Sequence, residues 1–154
     1  MLLDTQKKAA RSSFGAVEVA AAFFRWTYRY PHPSRNEVTT SKAIFVPANS
    51  SASAKALLSE YEKNPNSSGG VVPDGTTFHL TTIGARWMVQ DRGDGTQRVS
   101  VLAPFVIDGA VSPTQTTAGA VDLRVIEGRW RVIALAPVDS SAVAAGGTAF
   151  TAGC

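Results

Sequence analysis

Three side chains in this sequence are of the types that move protons: His79, Asp108 and Asp122. A general base must reach its proton at hydrogen-bond distance, and burial can tune its pKa toward neutrality. These three are therefore the catalytic candidates of an enzymatic reading. The local context of each points elsewhere. His79 lies in "FHL", where Phe78 and Leu80 facing a core would turn the imidazole outward with Thr81. Asp108 lies in "VIDGAV", and Asp-Gly is a turn signature. Asp122 alternates with Val121 and Leu123, which places it on a solvated face, paired across the strands with Arg129 or Arg131. His32 stands between two prolines, in a loop. No local motif ties any two of these together.

Other chemistries find less to work with. The chain has two histidines and a single cysteine, Cys154 at its last position. That allows no internal disulfide and no cysteine-based zinc site, and neither metal nor cofactor is expected. "GDG" in "DRGDGTQ" is a hairpin tip without the Lys-Ser/Thr of a phosphate loop. Ser50, Ser51 and Ser53 lie in no nucleophile-elbow context. Basic residues interleave with aromatics in "FRWTYRYPHP" and "GRWRV", a pattern that can bind nucleic acid. Helical spacing assigns most of those aromatics to a core, however, and 15 basic against 12 acidic residues, a net charge of +3, is too even for a dedicated nucleic-acid binder. No nucleic-acid partner is expected. Lys7, Lys8 and Arg11 precede the first apolar-periodic segment and read as part of a solvated leader.

The elements that must carry these residues are legible in outline. At 154 residues, with 44% hydrophobic and 18% charged, the chain has the balance of one globular domain. In "SFGAVEVAAAFFRWTYRYPHPS", Val17, Ala20, Ala21, Phe24 and Tyr28 form a helical stripe that Phe23, Trp26 and Tyr30 widen. Ser12 or Ser13 caps this helix, over about residues 14–30, and Pro31 and Pro33 end it. "SSASAKALLSEYEKNP" is a second helix, capped by Ser50 or Ser51, with Pro65 beyond its end. "KAIFVP" between the helices is a short strand or turn, and "NPNSSGGVVPDGTT" is loop.

Strands follow. "TTFHLTTIGARWMVQD" reads as one strand with a bulge at Gly84, and "RGDGTQ" as a hairpin turn. "QRVSVLAPFVIDG" is the partner strand, with a bulge or edge at Pro104. "SPTQTTAG" reads as the next turn region. "AVDLRVIEGRWRVIALAP" then folds back at Glu127-Gly128, with Val121, Leu123 and Val125 on one face of its first arm. Trp130, Val132 and Ala134 alternate along the second. Arg129 and Arg131 fall on the opposite face and are the candidate interface residues. Residues 138–154 are small and Gly/Ala-rich, a mobile tail. Residues 1–13 are a flexible leader or a juxtamembrane remnant, leaving residues 14–137 as the single domain.

Helices followed by long antiparallel strands make an α+β order, with a curved sheet wrapped over the first helix to bury Phe23, Phe24, Trp26, Trp87 and Trp130 together. This order, finishing in "EGRWRV", resembles the cone-shaped nuclear-transport-factor-2-like (cystatin-like) superfamily. Within it, the chain looks like the soluble domain of an assembly protein of a bacterial conjugative transfer (type IV secretion) channel. The resemblance implies a non-enzymatic, membrane-anchored subunit on the extracytoplasmic face of the cell membrane. Its partners would be other channel subunits and itself, as a homo-oligomer. No apolar run here approaches the ~20 residues of a membrane span, and "MLLDTQKKAARSS" is no signal peptide. Either an anchor lies outside this sequence or the protein is cytoplasmic. The superfamily also contains small lyases, isomerases and hydrolases, so the other expectation is an enzyme or ligand-binding protein using the cone pocket. In that case His79, Asp108 and Asp122 would supply its chemistry.

Overall fold

The computed structural model describes residues 1–151. Its helices are α1 (Leu2–Lys8), α2 (Ser13–Thr27), α3 (Arg35–Thr40), α4 (Ser50–Lys63) and α5 (Ser140–Gly146). Its strands are β1 (Phe78–Leu80), β2 (Arg86–Gly93), β3 (Thr96–Ile107), β4 (Ala110–Ile126), β5 (Arg129–Ala136) and β6 (Thr148–Ala149). Every pairing is antiparallel, in the order β5-β4-β3-β2-β6, with β1 also paired to β3. The architecture is α+β, an open curled sheet with helices packed on it.

The sheet curls because its ladders are interrupted. Register shifts fall at Asp91/Gly93, Pro104/Val106 and Asp122/Leu123, and an extra residue in one strand bends it and increases its twist. Three hairpin links, Asp94-Gly95, Asp108-Gly109 and Glu127-Gly128, carry positive φ at both residues. That backbone matches the twist of the flanking strands, and glycine adopts it without a Cβ penalty.

The concave side closes over α2. Ser12 caps α2 by accepting the Gly15 N–H at 3.4 Å. Buried positions run right around the helix, including Val17, Val19, Ala20, Phe23, Phe24 and Trp26. Such a helix needs cover on more than one side. Val99, Val101, Ala103 and Phe105 of β3 supply one side, with Phe78, Leu123, Trp130 and Val132 from neighbouring strands. α1 packs against α2 as well. At Gly119 of β4 an added Cβ would stand 2.6 Å from the Phe24 ring, so this strand glycine makes room for an aromatic side chain.

Several expectations need correction. Residues 2–8 form a helix whose Leu2 and Gln6 are buried, where a flexible leader was expected. Gln6 Nε2 donates to the carbonyls of Trp130 and Ala43, so this helix covers part of the β5 edge. Residues 138–151 are likewise ordered. Asp139 caps α5, Val143 is buried, and β6 pairs with β2 at Arg86 and Trp87. Cys154 lies outside the described residues. "SPTQTTAG" does not reverse the chain: β4 continues through it with a bulge, and the chain reverses at Asp108-Gly109. Between β1 and β2 the chain leaves the ladder over residues 81–85, a wider break than a bulge. It does so opposite Pro104, which has no N–H to offer that ladder. α3 was not foreseen, although Ser34 and Glu37 form a complete capping box at its start. α2 ends at Thr27, and Trp87 is only partly buried, edge-on to Phe14.

Candidate functional site

His79, Asp108 and Asp122 are placed in three different surroundings. His79 is exposed on β1, opposite Val106. Asp108 occupies the β3-β4 turn with φ 48°, and its N–H donates to the Thr77 carbonyl at 3.1 Å. Asp122 faces Arg98, not Arg129 or Arg131. Arg98 Nε and Nη2 donate to its two carboxylate oxygens at 2.8 and 3.0 Å. The hydrogen bond from Arg98, with the charges of Arg98 and Arg92, holds this carboxyl below its usual range although burial acts the other way. An aspartate so paired is fixed as an anion and is a poor proton shuttle.

Arg98 went unnoticed because register decides the partner. Between the pairs Val106↔Val111 and Pro104↔Thr116, β4 advances five residues while β3 advances two. Counting outward from the Asp108-Gly109 turn therefore aligns Asp122 with the wrong residue. A second bulge acts on β5, where Ile133 is extra between the pairs Leu123↔Val132 and Asp122↔Ala134. It puts Ala134 in place of Ile133 opposite Asp122, while Arg131 pairs with Arg124.

Arg129 is exposed, as expected of an interface residue, but Arg131 is buried at 7% exposure. Its Nη1 donates to the Ala43 carbonyl and its Nη2 lies 3.8 Å from Glu127. The turn at Lys42–Ile44 covers Arg131, and "KAIFVP" thereby closes part of the β5 edge, with Phe45 bridging to Val132. Trp130 faces the core. Its indole is buried and donates to the Ala10 carbonyl at 2.8 Å. Gly15 leaves the space that carbonyl occupies.

Aromatic side chains pack together beneath the sheet. Phe78 and Phe105 meet edge to face at 5.4 Å, and Phe23 touches Phe24, Trp26 and Phe45. Among the described residues the buried polar ones are Gln6, Thr27, Ser68, Thr82 and Arg131, a set without a nucleophile–base pair. No family model, curated protein or solved structure matches this chain. Its function must be read from its own residues.

Two surface clefts bear on the site residues. One, of about 480 Å³, lies beside the start of α2 and includes Arg11, Asp94, Arg124 and Trp130. The other, of about 310 Å³, lies where the end of α2 meets β1, and Arg25, Arg29, Tyr30, Thr77, His79 and Leu80 line it. Here burial, and then the charge of Arg25, lower the His79 pKa from the ordinary imidazole value. Arg29 Nη2 holds Glu37 at 2.5 Å. The backbone N–H of Ser34 is the main cause of a lowered Glu37 pKa, with Arg29 adding to it against the effect of burial. Nearby, His32 stacks on Tyr61 with ring centres 4.5 Å apart, while the Tyr61 hydroxyl donates to the Thr27 carbonyl at 3.2 Å. The Tyr61 hydroxyl thereby ties α4 to the end of α2. Among the described residues no group of His, Cys, Asp and Glu could hold a metal ion.

Proposed function

We propose that the chain is a nuclear-transport-factor-2-like (cystatin-like) cone domain serving as a non-enzymatic assembly subunit of a bacterial conjugative transfer (type IV secretion) channel. It works at the extracytoplasmic face of the cell membrane, tethered by an anchor outside this sequence, through contacts with other channel subunits and with itself. The observation that carries this reading is the aromatic core between α2 and the sheet. A sheet curled over α2 and packed with Phe23, Phe24, Phe78, Phe105 and Trp130 leaves the surface as the place for action. The enzymatic alternative needs His79 to meet a carboxylate within a polar cavity. His79, Asp108 and Asp122 instead serve a strand surface, a turn and an ion pair.

Of the two interface arginines, only Arg129 stands available to a partner, at the exposed end of β5. The test is a transfer assay in cells lacking the native gene, complemented with either the parent or Arg129→Glu. The account expects a reduced transfer frequency with unchanged protein level and thermal stability. Full transfer would remove Arg129 from the interface. Failure of the parent gene to affect transfer at all would overturn the reading.

A further inference from the structure

The cleft between α2 and β1 gathers two arginines and a strand edge that the assembly reading does not use. We propose that it is a carboxylate-binding site that takes an organic acid with an apolar tail, held by Arg25, Arg29 and the backbone of Leu80. This inference does not rest on the assembly reading.

Three observations converge on it. First, Arg29 Nε is buried and meets no hydrogen-bond acceptor among the described residues, although Nη2 of the same guanidinium is spent on Glu37. A buried donor without an acceptor is costly, and an incoming oxygen would satisfy it. Second, the bridge that Tyr30 makes to this edge of β1 ends at Phe78. Tyr30 and Phe78 exchange both backbone hydrogen bonds, at 2.9 and 3.2 Å. By the two-residue period of a strand, the N–H of Leu80 points to that same edge, past the end of the bridge. The odd-numbered neighbours point the other way, as Thr81 N–H donating to Pro104 shows. Third, Arg25 lines the same cleft, and its charge acts on His79.

Guanidinium groups beside a strand N–H match the two oxygens of one carboxylate, and a charge-assisted hydrogen bond is about twice as strong as a neutral one. Pro31, Phe78 and Leu80 add apolar wall, which selects an acid with a hydrocarbon portion. The volume of about 310 Å³ is at the small end for ligand sites, enough for one terminal group. The groups set to feel the ligand are Met1, whose amino group lies 3.6 Å from Asp4 and which also lines the cleft, Arg25 and Arg29 from the α2 side, Glu37 of α3, and His79 of β1. Asp108 lies two residues along β3 from the partner of His79.

Two sources share this chemistry, a free small acid and the C-terminus of a polypeptide in extended conformation. N-acetyl-leucine, its amide, and an acetylated tetrapeptide ending in leucine separate them by NMR titration of the whole chain. The acid is expected to shift the Leu80 amide and the His79 ring signals at millimolar concentration, and the amide is not. Saturation should also raise the His79 titration midpoint, because the bound anion offsets the Arg25 charge. Arg25→Gln should weaken binding by about tenfold or more, the loss of one charge-assisted hydrogen bond. Glu37→Gln should tighten it by releasing Arg29, an outcome that a damaged fold cannot imitate. Tighter binding of the tetrapeptide assigns the site to a chain terminus, and equal binding assigns it to a free acid. Equal shifts from acid and amide, or undiminished binding by Arg25→Gln with no tightening by Glu37→Gln, would overturn the site.

Discussion

At the scale of single residues, two features account for much of what holds the sheet on α2. Phe24 is buried against Gly119, so the pair is a fitted contact between helix and strand. Emptying the aromatic site by Phe24→Ala should cost about 3–5 kcal/mol. Filling the glycine side by Gly119→Ala should cost about 1–3 kcal/mol through overpacking. Chemical denaturation measures both, and the two effects should be strongly non-additive because the residues touch. The second feature is the Arg98–Asp122 pair. Its aspartate has a folded-state pKa below the unfolded one, so its contribution is present above the unfolded value, about 4, and lost as pH falls through the folded value. Asp122→Asn should therefore lower stability at neutral pH, with the gap to the parent closing in acid. A gap independent of pH would deny the ion pair this role. The sequence showed that Asp122 needs a cross-strand cation. It could not show which one, because a bulge that adds three residues to β4 leaves no mark in alternation alone.

At the scale of elements, both ends of the sheet are managed. Gln6, Phe45 and the turn covering Arg131 close one stretch of the β5 edge. At the other end α5 packs on β2, β3 and β4, and β6 pairs with β2. Unpaired strand edges invite association, so covering them is a common protection. The local sequence hid this. "SSAVAAGGTAF" is small and unpatterned, and its order comes from partners far along the chain: Arg86 Nη1 donates to Gly147, and Phe150 N–H donates to Ala85. Hydrogen exchange should accordingly find the Gly147 and Phe150 amides protected well beyond loop values. Rapid exchange at both would restore the mobile tail. Arg131 carries a similar lesson. Alternation placed it opposite Trp130, on the other face, yet the fold covers that face at this point with the Lys42–Ile44 turn. Arg131→Glu is therefore expected to lower the melting temperature, whereas Arg129→Glu leaves it unchanged. The elements that were legible, α2, α4 and the "RGDGTQ" and "VIEGRW" hairpins, are those with strong local periodicity or turn chemistry. α1, α5 and the β1-β2 break depend on tertiary contacts that no short window contains.

At the scale of the whole molecule, the account rests on a division of labour. The aromatic interior, the capped helices and the covered edges maintain one shape, and the residues suited to proton transfer are scattered over its surface. His79, kept below the ordinary imidazole pKa, stays largely neutral near pH 7 and needs no charge to serve as a strand residue. The assembly reading predicts that removing it together with Asp108 changes nothing that matters to the protein's task. The most direct measurement is transfer frequency in cells lacking the native gene and complemented with the double variant His79→Ala, Asp108→Ala, read beside its thermal stability. The account predicts parental transfer at parental stability. Abolished transfer with an intact melting transition would contradict it and return the search to a catalytic site.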